Sequence, residues 1–300
     1  MSDRLALYTT VYRAATPYLR EWYDSVAAQT DRDFDLWIGV DGMTCDAVCV
    51  ALGAAPAARW VIGEPGDSPA RLRTRAIQRM LPHYDALLFV DCDDLLDPTR
   101  VAGARAALRT SDVAACALKI VDASGRDCGI TFAPPTGQDA AALLPRYNVF
   151  GLSNTAYRTA VLARCLPVPR DAVLMDWLLA TRAWVLGARL AFDPIPRMRY
   201  RQYEANIARV VQPFGHAHIL AAAERVVAHY RLVLSEPAAL PATHRRALCQ
   251  ARARAERFQR AVQSSRATLD RYVTALNALT PAYVWWWCVA HPQLEDVWSN

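Results

Sequence analysis

The sequence predicts an α/β protein with a mostly parallel sheet flanked by helices, followed by a helical extension at the C-terminal end. Three observations lead to this prediction. Short apolar runs alternate with helical patterns over about the first 210 residues, which is typical of a parallel sheet wound by crossover helices. One apolar run, Leu87–Val90, ends in a cluster of acids. After residue 215, apolar residues recur only at helical spacing.

Each element has its own signal in the sequence. The pair Thr16–Pro17 predicts a helix start after the first strand, and the residues from 130 to 150 are expected to be irregular. The predicted strands are Leu5–Val11, Phe34–Val40, Trp60–Gly63, Leu87–Val90, Ala114–Val121, Arg189–Phe192 and Met198–Tyr200. The other predicted helices are Ala70–Met80, Val101–Leu108 and Val173–Trp184.

Composition restricts the class of protein. The chain has 300 residues, of which 53% are hydrophobic and 21% charged, and its net charge is +5. This mild charge is spread along the chain and does not favour nucleic-acid binding. Eight cysteines without a CxxC pair argue against a zinc ribbon. Neither a signal peptide nor an apolar run long enough to span a membrane is recognisable, so we expect a cytoplasmic protein.

The acidic cluster is the most informative segment. Asp91, Asp93 and Asp94 directly follow the apolar strand, and open α/β sheets bind ligands at the C-terminal ends of their strands. Crowded carboxylates repel one another unless a cation is present. Hard oxygen ligands suit Mg²⁺ or Mn²⁺, which often share their coordination with substrate phosphates. The alternative is a solvated acidic turn before a helix.

Three segments together resemble the family 2 glycosyltransferases of the GT-A fold, over roughly residues 4 to 210. LALYTTVYRAATPYLREWYDSVAAQTDRDFDLWIGVDG is similar to the family's first strand, helix and second strand. LLFVDCDDLLDP resembles its DxD strand end, and VLMDWLLATRAWVLGARLAFDPIPRMRYR its later helix with a catalytic carboxylate. The resemblance implies a GT-A type, Rossmann-like fold.

The resemblance also implies roles for individual residues. Asp176 matches the general base, and Asp93 and Asp91 the metal ligands, for Mn²⁺ or Mg²⁺. Asn154 and Arg201 are expected near the donor sugar and diphosphate. The positions that match the nucleotide pocket are Thr10, Tyr12, Asp41, Arg73 and Asp91.

The implied activity is the inverting transfer of a hexose from a nucleotide sugar, expected to be UDP-linked, to an acceptor hydroxyl in polysaccharide or glycoconjugate synthesis. The partners would be the donor and a glycan or lipid-linked acceptor. The sequence departs from the family at Gly42, Thr74 and Met175, where a second aspartate, an asparagine and a glutamate are usual. It also lacks the Gln-x-x-Arg-Trp signature of processive synthases, so one sugar per encounter is expected.

Several site residues have a structural alternative. Asp176 could be a charge favoured at a helix N-terminus, Asp41 a turn acid and Arg73 a solvent-facing helix residue. Two other function classes also remain. A sugar nucleotidyltransferase would need a glycine-rich phosphate loop after the first strand, whereas residues 9–15 contain no glycine. A non-catalytic nucleotide-sugar-binding or assembly protein would keep the fold alone.

The sequence places a catalytic domain at residues 1–215 and a helical region at 216–300. In the helical region, apolar residues from Leu248 to Leu279 alternate in steps of three and four. This predicts a long helix that packs against another helix, either within the chain or from a second copy in a homodimer. The cluster Trp285–Trp287 either docks the tail onto a core or contacts a membrane peripherally.

Overall fold

The computed structural model describes residues 3–204, 206–235 and 240–299. They form two compact units. The first unit comprises Met1–Phe132 and Phe150–Arg201, and the second comprises Ala133–Val149 and Gln202–Asn300.

The first unit is built on one sheet. Its strands are β1 (Leu5–Tyr12), β2 (Phe34–Asp41), β3 (Ala58–Ile62), β4 (Ala86–Phe89), β5 (Leu95–Leu96), β6 (Val113–Val121), β7 (Asp127–Phe132), β8 (Thr155–Arg158) and β9 (Leu190–Arg201). They lie in the order β3-β2-β1-β4-β8-β6-β9-β5, and β7 pairs with β6. Strands β3, β2, β1 and β4 are parallel, whereas β8 is antiparallel to β4 and β6.

Helices connect these strands. In the first unit they are α1 (Leu19–Ala27), α2 (Cys45–Leu52), α3 (Pro69–Met80), α4 (Arg100–Ala107), α6 (Thr159–Arg164) and α7 (Met175–Val185), while α5 (Ala140–Leu143) belongs to the second unit. Helix α3 has the expected local start, because Ser68 accepts a hydrogen bond from the Arg71 amide and Pro69 follows it. The predicted α/β fold is therefore confirmed.

The core of the first unit explains the strand order. Strand β4 is buried along its whole length, as expected for a strand with neighbours on both sides and helices over the sheet. The rings of Tyr8, Phe89 and Tyr157, from β1, β4 and β8, pack edge to face at 6.1 and 6.0 Å. The central strands are thus held in the register that brings the ends of β1, β2 and β4 to one edge.

Two local predictions differ from the structure. The two short strands expected at Arg189–Phe192 and Met198–Tyr200 form one strand, β9, with register shifts opposite Cys116–Leu118. Pro194 and Pro196 interrupt its pattern without ending the strand, because prolines are tolerated at such irregularities. After β1, residues Arg13–Tyr18 form a 3₁₀ helix that contains Pro17, and α1 begins only at Leu19.

The second unit is helical. Its main helices are α8 (His216–Ser235), α9 (Ala242–Ser264) and α10 (Arg266–Ala278), and a short α11 (Glu295–Trp298) follows. The single long helix predicted over Leu248–Leu279 is wrong, since Ser265 has an extended backbone and its side chain caps α10 by accepting from the Thr268 amide. A residue that favours caps therefore divides the apolar stripe between two helices.

The stripe packs within the second unit. Phe258 of α9 contacts the rings of Tyr272 and Trp298 at 4.6 and 5.4 Å, and both Phe258 and Leu276 are fully buried. Of the two alternatives, packing within the chain accounts for the stripe. No second copy is needed to bury it.

The tryptophan cluster is also buried. Trp285, Trp286 and Trp287 have exposed fractions of 4%, 5% and 0%, and the Trp287 indole donates to the Val210 carbonyl at 3.1 Å. The three tryptophans therefore dock the tail onto a core, which is one of the two interpretations that the sequence allows. Within the described ranges, none of the helices has the length and apolar character needed to cross a bilayer.

Residues 202–215 explain why the observed units divide earlier than the sequence suggested. Gln212 donates to the carbonyls of Leu276 and Leu279 at 2.7 and 3.2 Å, and Asn277 exchanges two hydrogen bonds with the Phe214 backbone. This segment therefore belongs with the helices that follow it, rather than with the sheet.

Candidate active site

The acidic turn lies at the C-terminal end of β4. The parallel strands β1, β2 and β4 end at the same edge of the sheet, with Tyr12 in register with Asp41 and Tyr8 in register with Phe89. The ends of these three strands therefore frame the turn that contains Asp91 and Asp93. Four of the predicted site residues, Tyr12, Asp41, Asp91 and Asp93, are brought to this edge.

Asp91 is the most accessible acid of the turn, with 36% of its side chain exposed. Arg73 of α3, which the resemblance assigns to the nucleotide pocket, donates to its Oδ1 at 3.3 Å. The pKa of Asp91 is raised to about 6, mainly by its partial burial; the charge of Arg73 partly offsets this rise and that of Asp93 adds to it. The negative charge of Asp93 thus opposes the ionisation of Asp91.

Asp93 is 7% exposed and is tied to β1. The Tyr12 hydroxyl donates to its Oδ2 at 3.3 Å, and its carbonyl accepts from Arg201 Nε at 2.9 Å. Both its side chain and its backbone are therefore oriented by neighbouring elements. A preoriented carboxylate is what a metal ligand requires.

Asp94 has a role that the sequence did not reveal. It is 1% exposed, and its two oxygens accept from the Ser153 hydroxyl and from the Arg201 amide. Burial and the charges of Asp93 and Asp91 raise the pKa of Asp94 well above its usual range. Asp94 faces the protein and connects the turn to two other segments. The sequence of this turn, with three aspartates in four residues, does not show which of the three side chains is buried.

Arg201 is placed differently from the prediction. It is 1% exposed, and it donates to the carbonyls of Asp93 and Ala123, both at 2.9 Å, and to Glu21 at 2.7 Å. Its guanidinium also lies over the Tyr18 ring at 4.5 Å. Its donors are engaged within the protein, so in this structure Arg201 supports the acidic turn and is not presented to a diphosphate.

Asn154 is also engaged within the protein. Its side chain is fully buried and donates to the Cys116 carbonyl at 2.7 Å, which joins the start of β8 to β6. The prediction that it contacts the donor sugar is not supported by this placement. Its neighbour Ser153 is closer to the chemistry, because its hydroxyl accepts from the Asp91 amide at 3.2 Å.

Asp41 opens onto a cleft of about 720 Å³. The cleft is lined by Arg13 and Thr16 after β1, by the residues after Asp41, and by the loop 63–67 after β3. Gly42 there has a φ of 63°, a left-handed conformation that glycine adopts without strain. Thr10 is 6% exposed, its hydroxyl bonds with that of Tyr8 at 3.0 Å, and it is not among the residues that line the cleft.

Asp176 lies in the first turn of α7. Its pKa is raised to about 6, chiefly by burial. A backbone hydrogen bond with Trp177 partly offsets this rise. The charge of Asp91 raises this pKa further and that of Arg73 lowers it. Such coupling places Asp176 within electrostatic reach of the Asp91–Arg73 pair. A carboxyl with a pKa near neutrality is suited to general base catalysis.

The donor set fits a divalent cation that is shared with a substrate. Over residues 3–204, 206–235 and 240–299, no group of three or more His, Cys, Asp or Glu side chains is arranged to hold a metal ion. Asp91 and Asp93 provide two hard oxygen ligands, and the like-charge interaction between them would be relieved by a cation. Mg²⁺ sites with one or two carboxylates are commonly completed by water and substrate phosphates.

The fold is similar to those of solved structures. S. aureus TarS residues 1–349, in complex with UDP-GlcNAc, superimposes with a TM-score of 0.58 at 17% identity, covering 83% of this chain and 71% of that chain. Mannosyltransferase PcManGT from Pyrobaculum calidifontis, in complex with GDP-Man and Mn²⁺, gives a TM-score of 0.58 at 18% identity, covering 93% and 77%. The chain shares the fold of these two glycosyltransferases.

Sequence comparison adds no closer relative. No protein-family model matches the chain, and no curated protein is similar to it in sequence. The GT-A type fold expected from three short segments is thus supported by backbone geometry.

Proposed function

We propose that this protein is a glycosyltransferase that moves a sugar from a nucleotide sugar to an acceptor hydroxyl. The observation that carries the proposal is the acidic turn at the end of β4, where Arg73 donates to Asp91 at 3.3 Å and Tyr12 donates to Asp93 at 3.3 Å. This turn lies in a fold shared with solved glycosyltransferases, and the charges of Asp91 and Arg73 both act on Asp176, a carboxyl whose pKa is raised to about 6.

The donor is proposed to bind across the ends of β1, β2 and β4. Asp41 would accept hydrogen bonds from the base in the adjoining cleft, and Arg73 would face the phosphates from α3. A UDP-linked hexose is the proposed donor. S. aureus TarS is in complex with UDP-GlcNAc and PcManGT with GDP-Man, so both nucleotides belong in the test.

Asp91 and Asp93 are proposed to hold Mn²⁺ or Mg²⁺. When bound, this cation would supply positive charge for the phosphates as the bond to the sugar breaks. Tyr12 would keep Asp93 oriented through its hydrogen bond. Arg73 would add a charge-assisted contact on the same side of the turn.

Asp176 is proposed as the base that accepts the proton of the acceptor hydroxyl. A base with a pKa near 6 is mostly ionised at pH 7 and still basic enough to take a proton as attack proceeds. One carboxylate base, with no second carboxylate acting as nucleophile, corresponds to inversion at the anomeric carbon. The acceptor is proposed to be a glycan or glycolipid in cytoplasmic synthesis of a polysaccharide or glycoconjugate.

A ligand screen tests the proposal directly. Thermal unfolding is followed with UDP, GDP, CDP and TDP sugars, each with and without Mn²⁺, and donor hydrolysis is measured for those that bind. A ligand present at 100 times its dissociation constant should stabilise the protein by about 2.7 kcal/mol. Stabilisation without hydrolysis or transfer would favour the non-catalytic alternative. Cleavage that requires added pyrophosphate and releases a nucleoside triphosphate and a sugar phosphate would favour the nucleotidyltransferase.

The metal role has its own variant. Asp93→Asn keeps an acceptor for the Tyr12 hydroxyl but removes the charge, so metal-dependent hydrolysis should fall at least about 100-fold with the fold retained. Asp24→Asn is the matched control, since Asp24 forms an exposed ion pair with Arg20 on α1. Unchanged metal dependence in Asp93→Asn would remove Asp93 from the metal site.

A further inference from the structure

The second unit contains a cleft of about 780 Å³ that the proposed reaction does not use. It is bounded by the segment 135–147, by α9, and by the segment 282–292. Every residue that lines it belongs to the second unit. What it binds must be argued from its own charge and shape.

The lining of this cleft is basic. Arg146, Arg254 and Arg257 line it, and the described lining residues include no aspartate or glutamate. Arg254 contacts Glu295 at 2.5 Å, and Arg257 contacts the same carboxylate at 3.4 Å. One carboxylate shared by two guanidinium groups leaves positive charge in excess, and Arg146 adds to it.

Arg254 is held in place but not fully satisfied. Its Nε donates to the Ala290 carbonyl at 3.0 Å and its Nη1 to Glu295, while only 16% of the side chain is exposed. Its Nη2 is buried and has no hydrogen-bond partner in the described part of the chain. A buried donor left unpaired is unfavourable, and the guanidinium also lies 5.3 Å from the centre of the Trp298 ring, so Arg254 contributes positive charge held in a fixed position beside the cleft.

Tyr147 shows that two of the arginines converge. Burial raises the pKa of the Tyr147 hydroxyl, whereas the charges of Arg146 and Arg254 both lower it. Both guanidinium groups therefore lie within electrostatic reach of one hydroxyl that also lines the cleft. The hydroxyl can itself donate to an anion, which gives the site donors of two chemical kinds.

The rest of the lining is apolar and small. Leu143, Pro145, Ala251 and Val284 line the cleft beside the basic groups. We propose that this cleft binds an organic phosphate, with the phosphate oxygens on the arginines and a compact carbon body on the apolar wall. Guanidinium forks can bind phosphate oxygens bidentately. The proposal is independent of the donor site and of the proposed reaction.

Titration calorimetry on the full chain tests it with inorganic phosphate, glycerol 3-phosphate and n-hexyl phosphate. Arg146→Gln and Arg257→Gln are suitable variants because both side chains are exposed at the rim, so the fold should be kept. Each should weaken binding about tenfold, the size expected for loss of one charge-assisted hydrogen bond. Arg260→Gln, an exposed arginine of α9 outside the lining, should bind as the wild type does.

The probes also identify the source of the ligand. Tighter binding of n-hexyl phosphate supports a lipid phosphate, and tighter binding of glycerol 3-phosphate supports a soluble polyol phosphate. Equal affinity of the wild type, Arg146→Gln and Arg257→Gln would overturn the proposal. So would the absence of binding heat for all three probes at millimolar concentration.

Discussion

At the residue scale, the chemistry centres on carboxyl groups whose ionisation is made difficult. Asp91 and Asp176 both have a pKa raised to about 6, first because burial removes them from water. Raised pKa values of this kind accumulate at functional sites, where a proton must be exchanged near neutral pH. Asp176 could be a simple helix N-terminal charge, but a helix dipole alone would lower its pKa.

We expect Asp176→Asn to reduce sugar transfer by about 10²-fold or more with donor affinity nearly unchanged, as for loss of a general base. The wild-type kcat should rise as pH increases through about 6, because the base is protonated below that pH. The measurement is kcat against pH at saturating donor. A flat profile between acidic and neutral pH, or full activity in the variant, would exclude this role.

The same variant carries an internal check on folding. The folded pKa of Asp176 lies above its usual value, so the folded state binds more protons and the wild type loses stability as pH rises from about 4 to about 6. Above that range Asp176→Asn should be more stable than the wild type by about 3 kcal/mol. Asp171→Asn, an exposed acid before α7, should change neither stability nor rate. A damaged fold would instead lower both.

At the element scale, β9 supports the acidic turn through its last residue. The buried Arg201 side chain connects the Asp93 carbonyl with Ala123 and Glu21. We expect Arg201→Met to lower the free energy of unfolding by about 3 kcal/mol, because buried acceptors lose a charged donor. Urea unfolding measures this loss.

Arg199 offers the matched control, since it lies in the same strand with an exposed side chain. Arg199→Met should alter stability by no more than about 0.5 kcal/mol. If Arg201→Met kept full stability and instead lost donor affinity, the diphosphate contact inferred from the resemblance would be correct.

Local sequence patterns predicted most of the helices and strands. They did not predict which polar side chains are buried within the protein. The strand β4 and its acids were readable because a fully buried strand shows as a continuous apolar run. Asn154 and Arg201 were misplaced because burial of a polar side chain depends on distant carbonyls, such as that of Cys116. Sequence spacing carries no information on those partners.

The break at Ser265 shows a different limit. The three-four periodicity continues across it, since Phe258 of α9 and Tyr272 of α10 pack together after the chain bends. Periodicity reports which residues are apolar, and a single capping serine decides whether they lie on one helix or two.

Packing of this stripe gives a further test. Phe258→Ala should lower the free energy of unfolding by about 3–5 kcal/mol, as for other buried aromatic truncations, with no change in sedimenting mass. Val50→Ala is the control, since Val50 is 82% exposed. Undiminished stability together with a smaller mass would show that the stripe is a seam between two copies.

At the scale of the whole molecule, the two compact units have different tasks in our proposals. The first unit contains Asp41, Arg73, Asp91, Asp93 and Asp176, whereas the second contains the basic cleft with Arg254. The proposed donor site and the basic cleft therefore lie in different units. The sequence indicated the helical region but placed its start at residue 216, because the segment 202–215 has no helical pattern of its own.

Hydrogen exchange can test this division of tasks. UDP with Mn²⁺ should slow exchange in the first unit, at the ends of β1 and β2 and in the turn after β4, because binding stabilises the region that it contacts. Exchange in α9 and α10 should change little. Protection confined to those two helices would place the nucleotide in the second unit and contradict the proposed donor site.

The inward-facing Asp94 has a consequence for how this protein can vary. Its bonds to Ser153 and to the Arg201 amide fasten three separate stretches of chain, so an exchange at this position should reduce the amount of folded protein in a cell. Its neighbour Asp93 can change without breaking those bonds. A substitution of Asp93 would therefore alter the proposed metal site, whereas a substitution of the adjacent Asp94 would lower the amount of folded protein.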